Sequence, residues 1–266
     1  MITVVKLGGS LLENGARADL LAPLAAWEAA GERLLVVHGG GKTLTALLEK
    51  LGVTSHFHNG LRVTDDATRE AALMALAGNV NTRLVGSLNQ ALAARQRPPR
   101  AVGLTGLDGA SVLARRLHPE LGWVGESQPG DPRLLRTLIE AGYIPVLASL
   151  AADQPSGELL NVNADIFAAT CAALAGASRL LFITDVPGVL DREGRRLEQV
   201  RLSELNAMQQ SGQISGGMLP KLSACRQALE AGVERVEILS AAALPASFAD
   251  AYPHTRILLA AREGCA

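Results

Sequence analysis

Short, largely apolar runs closed by glycine recur along this chain. Ile2–Leu7 ends at Gly8-Gly9, and residues 34–37 (Leu-Leu-Val-Val) end at His38-Gly39-Gly40-Gly41. Runs of this length without polar alternation predict strands buried on both faces. Between them, residues 18–30 carry Leu20, Leu21, Leu24 and Trp27 at helical spacing, with Gly31 as the stop, and residues 43–51 read as a second helix. Strand, loop, helix in repetition predicts an α/β architecture with a largely parallel sheet.

The pattern continues to the end of the chain. Residues 57–64 look extended around a turn at Asn59-Gly60, which predicts a hairpin. Residues 67–94 read as one long helix eased by Gly78 and Gly86. Strands are predicted at 101–104, 144–147, 180–183 and 236–239, and hairpin arms at 112–116 and 123–125. Helices are predicted at 132–141, 165–175, 202–210 and 218–231. Neither an internal repeat nor a low-complexity linker interrupts the series. Two lobes would therefore share one sheet and divide after the Asp165 helix, giving units at 1–176 and 177–266.

Composition narrows the class. The 266 residues are 48% hydrophobic and 19% charged, with a formal net charge of −1. That balance suits a globular fold and removes the electrostatic case for a nucleic-acid or anionic-membrane partner. No apolar run approaches the roughly 18 residues of a membrane span. The start lacks the pattern of a secretory signal, and the three cysteines form no CxxC pair. The expectation is a reduced cytoplasmic protein without a side-chain metal site. Only four of the 25 basic residues are lysine: Lys6, Lys42, Lys50 and Lys221. Where arginine is the default cation, a lysine asks what a compact ammonium does that a planar fork cannot.

Six stretches carry candidate chemistry, and each has a plainer reading. Lys6-Leu7-Gly8-Gly9 could cradle a phosphate or be a tight turn with a snorkelling lysine. His38-Gly39-Gly40-Gly41 before a helix makes a stronger anion cradle. The following Lys42-Thr43 mimics a P-loop, but the first glycine of GxxxxGK[ST] falls at Val36, so the match fails and Lys42 reads as a solvated lysine in the first helical turn. His38 reads as a packing or hydrogen-bonding residue. Arg62, in the hairpin, could clamp a carboxylate or be an ordinary exposed arginine. Asn161, Asn163 and Asp165 precede an alanine-rich helix; a cap needs only one of them. Thr184-Asp185-Val186-Pro187-Gly188 ends a strand where nucleotides dock in parallel sheets. Gly216-Gly217-Met218 opens a helix that carries Lys221.

Taken in order, and with Gly103-Leu104-Thr105-Gly106-Leu107-Asp108-Gly109 added, these stretches resemble the amino-acid kinase family over nearly the whole chain. The strings at 59–64 and 161–165 are most similar to the branch that phosphorylates N-acetyl-L-glutamate in arginine biosynthesis. The resemblance implies a three-layer α/β/α sandwich around one mainly parallel sheet, the carbamate kinase-like fold. It implies an N-terminal lobe for the acyl substrate and dimerisation, and a C-terminal lobe for ATP. By position, Lys6, Lys221 and Asp165 would be catalytic. Gly39, Gly40, Arg62, Asn161 and Asn163 would hold N-acetyl-L-glutamate. Gly8, Gly9, Thr184, Asp185, Gly216, Gly217 and Met218 would hold ATP and its phosphates, with Mg²⁺ carried by those phosphates.

The implied chemistry suits the residue types. A carboxylate attacking a γ-phosphoryl group gathers negative charge, which lysines and convergent N–H groups offset, and it needs no general base. Two alternatives remain: a sister kinase for carrier-protein-linked aminoadipate or glutamate in lysine biosynthesis, and a nucleotide-binding module without catalysis. Lys42 departs from the proline common after the triple glycine in the acetylglutamate branch. The first strand opens at Ile2, leaving no room for the preceding helix of arginine-inhibited hexameric relatives, so the expectation is a homodimer insensitive to arginine.

Overall fold

The computed structural model describes residues 1–12, 18–58, 61–214, 216–248 and 252–259. The chain runs through β1 (Ile2–Leu7), α1 (Ala18–Ala29), β2 (Arg33–His38) and α2 (Gly41–Lys50). A short antiparallel pair follows, β3 (Phe57–His58) and β4 (Leu61–Arg62). The Asn59-Gly60 turn expected between them lies outside the described residues. The long helix predicted next is three segments: α3 (Asp66–Ala72), a wider π-helical stretch (Leu73–Asn81) and α4 (Thr82–Ala93). Hydrophobic periodicity detects the rod but not the local change in its winding.

The chain continues through β5 (Ala101–Thr105), β6 (Val112–Arg116), β7 (Val124–Pro129), α5 (Arg133–Glu140), β8 (Ile144–Ala148), β9 (Leu150–Asp153), β10 (Leu159–Val162) and α6 (Ala164–Ala175). It ends with β11 (Arg179–Thr184), β12 (Gln199–Arg201), α7 (Leu205–Gln210), α8 (Met218–Glu230), β13 (Arg235–Ser240) and β14 (Thr255–Leu258). Eight strands form one sheet in the order β12-β14-β13-β11-β1-β2-β8-β5. The six from β13 to β5 are parallel. β14 runs antiparallel to β13, with β12 parallel to β14. β6, β7, β9 and β10 close on themselves as a small separate ring.

The strand parity divides the core into two layers. Val5, Leu7, Val36, Leu181 and Ile183 face α1 and α4, packing on Leu20, Leu24, Leu84 and Leu88. Val4, Leu35, Val37, Leu180 and Phe182 face the other way, onto α5, α6 and α8 through Leu135, Phe167, Ala168 and Leu222. Helices on both faces of a mainly parallel sheet make the three-layer sandwich. Burial of a side chain such as Leu35 stabilises it by about 1.5–3 kcal/mol. Lys6 has the parity of Val4, so the sequence sends an ammonium into the α6/α8 layer. Among the described residues, no helix is long and apolar enough to cross a membrane.

Candidate active site

Three charged side chains meet beneath that layer. α6 starts on Asn163, whose Oδ1 accepts from the N–H groups of Asp165 and Ile166 at 2.9 and 3.3 Å. This cap fixes the first turn and turns Asp165 inward, where the residue is 8% exposed. Lys6 Nζ lies 2.7 Å from Asp165 Oδ1. Lys221, one turn into α8, donates to both Asp165 oxygens at 3.0 Å and sits 5.3 Å above the buried Phe182 ring. Lys6 and Phe182 are paired across β1 and β11. The two lysines are 7% and 8% exposed, whereas Lys42 and Lys50 are exposed.

Two ammonium groups share one carboxylate, so the cluster carries a net positive charge. Burial opposes ionisation of Asp165, but the two lysines overcome it and hold the carboxyl below its ordinary value. Burial lowers the Lys6 pKa, with Lys221 adding to the effect and Asp165 resisting it; Asp185 contributes a weaker attraction. Buried ion clusters add little stability compared with apolar packing of the same volume. A buried cluster with one cation in excess is better explained as a receptor for an anion.

Two glycine turns line the approach. Gly9 opens a short 3₁₀ turn (Gly9–Leu12), and a side chain there would begin 3.4 Å from both Gly40 N and Gly41 N. Gly40 is itself hemmed in: a Cβ would come within 2.6 Å of Leu76 Cδ2. Gly39 packs against Ala164, the residue before Asp165. α2 begins at Gly41 with no side-chain cap, leaving its first N–H groups as donors beside the two turns. Gly8 N–H, by contrast, donates to the Ile183 carbonyl at 2.9 Å. In this arrangement Gly8 seats the turn against the end of β11, and Gly9 rather than Gly8 faces the triple glycine.

A cavity of about 240 Å³ opens beside the triple glycine. Gly39, Gly40, Gly41, Arg62, Asn161 and Asn163 line it on the polar side, with Leu44, Leu61, Leu76 and Val162 among the apolar walls. Lys6, Asp165 and Lys221 are not part of this lining; Asn163 and Ala164 connect the two. Arg62 is braced by Ser55 Oγ, by Thr45 Oγ1 at 2.6 Å and by the Phe57 ring at 4.7 Å. Asn161 Nδ2 donates to Thr64 Oγ1 at 3.3 Å. The Asn163 oxygen is committed to the helix cap, so only the rest of that side chain is free to serve the cavity.

On the other side, Thr184 ends β11, and its hydroxyl donates to Asp185 Oδ1 at 3.0 Å. Gly216 has φ 56°, a left-handed conformation that suits glycine. Gly217 then starts α8 without a side-chain cap, so this helix too presents bare N–H groups, with Met218 half-buried behind them. His38, fully buried, contacts Asn81 and the Gly39 carbonyl. Burial drives its pKa down to about 4, so the imidazole is neutral at pH 7. Among the described residues, no three His, Cys, Asp or Glu side chains gather as a metal cage.

Sequence reasoning missed several contributors. Thr45 and Ser55 brace Arg62 from loops and helix surface where Ser and Thr are unremarkable. Ser149 reaches the cavity from the end of β8. Trp123 lies between the Arg69 and Arg116 guanidinium groups at 4.0 and 3.6 Å. Its backbone donates to Thr64 O and accepts from Asn161 N, at 2.6 and 2.9 Å.

The sequence and the fold are similar to those of known proteins. A model of the amino acid kinase family matches residues 1–240. The acetylglutamate kinase of Acidobacterium capsulatum is 47% identical over 253 residues, covering 90% of this chain and 91% of that protein. The acetylglutamate kinase of Solibacter usitatus is 44% identical over 244 residues, covering 91% and 92%. The crystal structure of smu.665 from Streptococcus mutans UA159 superposes with a TM-score of 0.80 at 31% identity, over 90% of this chain and 94% of that one. Two buried lysines on one aspartate, glycine turns at strand ends and a family match over nine-tenths of the sequence lead to one assignment: the chain belongs to the amino acid kinase family.

Proposed function

We propose that this protein transfers the γ-phosphoryl group of ATP to the side-chain carboxylate of N-acetyl-L-glutamate, forming N-acetyl-L-glutamyl 5-phosphate for arginine biosynthesis. The observation that carries the reading is the buried, net-positive Lys6–Asp165–Lys221 cluster between an Arg62-bearing cavity and an uncapped helix N-terminus. Two curated relatives, 47% and 44% identical to this chain, are named for the same reaction.

In this mechanism Arg62 and Asn161 hold the substrate's main-chain carboxylate and amide, and the cavity walls take its methylene stem. Lys6 reaches the transferring group from the β1 side and Lys221 from the α8 side. Asp165 keeps both ammonium groups apart and aimed. Gly9, Gly40 and the start of α2 supply N–H donors for the charge that gathers on the phosphoryl oxygens. The substrate carboxylate is already ionised at neutral pH, so transfer is direct, in line and without a covalent enzyme intermediate. The donor set fits ATP: Thr184, Asp185 and the Gly216–Met218 start of α8 would hold the nucleotide. Mg²⁺ would be bound chiefly by its phosphates and water, where it neutralises their charge.

The same reading gives residues 1–176 the acyl substrate and residues 177–266 the nucleotide, with the cavity lining drawn wholly from the first unit. It includes a homodimer, for which β5, the outermost strand of the sheet beyond β8, offers an edge, and a cytoplasmic setting suited to ATP-dependent synthesis. Purified protein with ATP, Mg²⁺ and hydroxylamine tests the reaction, since hydroxylamine traps an acyl phosphate. Hydroxamate from N-acetylglutamate, and none from glutamate or aminoadipate, is expected. Product only from a carrier-linked acyl substrate would move the assignment to the sister kinase. No product from any of them would leave a nucleotide-binding module.

A further inference from the structure

Asn81 closes the π-helical stretch and is 4% exposed. Its Nδ2 lies 2.8 Å from the Val146 carbonyl, 3.0 Å from His38 Nε2 and 3.5 Å from the Leu104 carbonyl. Two carbonyl oxygens around that atom identify it as nitrogen, because an amide oxygen there would face acceptors with no proton to share. An amide nitrogen donates only, so His38 Nε2 must accept. In the neutral ring the proton then sits on Nδ1, which donates to the Gly39 carbonyl at 2.8 Å. The sheet leaves room for this arrangement: a side chain on Gly103 would collide with Asn81 Oδ1 at 2.2 Å.

The Gly39 carbonyl and the Gly40 N–H belong to one planar trans peptide and point in opposite directions. Holding the carbonyl toward the His38 ring therefore sends the N–H away from it. That direction is the active site, because Gly40 N faces the Gly9 turn. Leu76 and Val80, from the same π-helical stretch, close the space behind Gly40. The wider winding sets the phase at which all three residues reach this one loop, a use of π-helix common at functional sites.

We infer that Asn81, acting through the His38 ring, sets the direction of the Gly39–Gly40 peptide and thereby aims the Gly40 N–H at the phosphoryl group in transfer. Both are positioning residues; neither touches substrate. The inference rests on the phosphoryl-transfer reading of the site.

The test uses the full chain with His38→Asn and His38→Gln. Asn places an amide N–H near the Nδ1 position; Gln places it near Nε2, out of reach of the Gly39 carbonyl. His38→Asn is expected to keep kcat within about tenfold of the parent and His38→Gln to lower it about 100-fold or more, the range for losing an aimed backbone donor. Equal loss in both, or near-parental turnover in both, overturns the inference. Long-range ¹⁵N–¹H correlation spectra at pH 7 read the tautomer without any turnover. The parent is expected to show His38 with Nδ1 protonated, and Asn81→Asp to move the proton onto Nε2. A parent with Nε2 protonated, or an Asn81→Asp protein still protonated only on Nδ1, overturns it. Failure of the parent to phosphorylate N-acetylglutamate would sink the functional reading and leave the tautomer test standing.

Discussion

Asp165→Asn removes the one anion between two buried ammonium groups while keeping the side chain's shape. Each contact, at 2.7 to 3.0 Å, amounts to roughly 5–6 kcal/mol of Coulomb attraction at an effective dielectric of about 20, set against several kcal/mol of desolvation per ion. Removing one member of such a cluster typically costs about 3–5 kcal/mol, because the remaining charges stay buried without compensation. For a chain of this size that lowers Tm by about 10 °C. The pH dependence identifies the cause. Asp165 is held below its ordinary pKa, so its stabilisation is present above the unfolded value near 3.8 and is lost as pH falls through the folded one. Lys6 also has a lowered pKa, which falls further without Asp165; deprotonation at alkaline pH relieves the repulsion with Lys221. The gap between parent and variant should be full at neutral pH, shrink below about pH 3.8 as Asp165 is protonated, and shrink again toward pH 10.5 as Lys6 loses its charge. Thermal unfolding followed by circular dichroism from pH 2.5 to pH 10.5 measures it. A variant within about 2 °C of the parent at pH 7, or a gap at pH 10.5 as wide as at pH 7, would refute the reasoning.

Further predictions are local to single contacts. Lys6→Arg and Lys221→Arg retain charge but misplace it, and each should cut kcat about 100-fold or more in a coupled ATPase assay; near-parental rates would remove the lysines from the chemistry. Arg62→Ala should raise KM for N-acetylglutamate about 10- to 100-fold, the equivalent of one lost charge-assisted bond, and leave KM for ATP near its parental value. An unchanged acyl KM would contradict its role. Trp123→Ala loses the stack between Arg69 and Arg116, worth about 1 kcal/mol, and should raise the acyl KM about fivefold with kcat little changed. A loss confined to kcat would show that Trp123 acts elsewhere.

The central strands were legible because strands covered on both faces read as continuous apolar runs: 34–37 and 180–183 announce β2 and β11. β12 and β14 were not, because Gln199–Arg201 and Thr255–Leu258 are short, polar in part and near the sheet's edge. β9 and β10 are four residues each and belong to a ring whose pairing depends on chain closure. The candidate site was legible as motifs, and the scarcity of lysine drew notice to four lysines, of which Lys6 and Lys221 prove buried and Lys42 and Lys50 exposed. Convergence was not legible. Strand parity sends Lys6 to the face of Val4, but nothing local says that α6 and α8 cover that face. Asn163 shows the limit from the other side: the sequence offered it both as a cap and as a ligand-binding residue, and the cap takes its oxygen. The tie from Asn81 to His38 depends on a π-helical phase that 3.6-residue periodicity does not encode.

The most direct measurement is a crystal structure of the full chain with N-acetylglutamate, Mg²⁺ and a non-hydrolysable ATP analogue. The account predicts both ammonium nitrogens within hydrogen-bond distance of the γ-phosphoryl oxygens and still on Asp165. A terminal phosphate bound away from either lysine, with the acyl carboxylate out of line for attack, would contradict it.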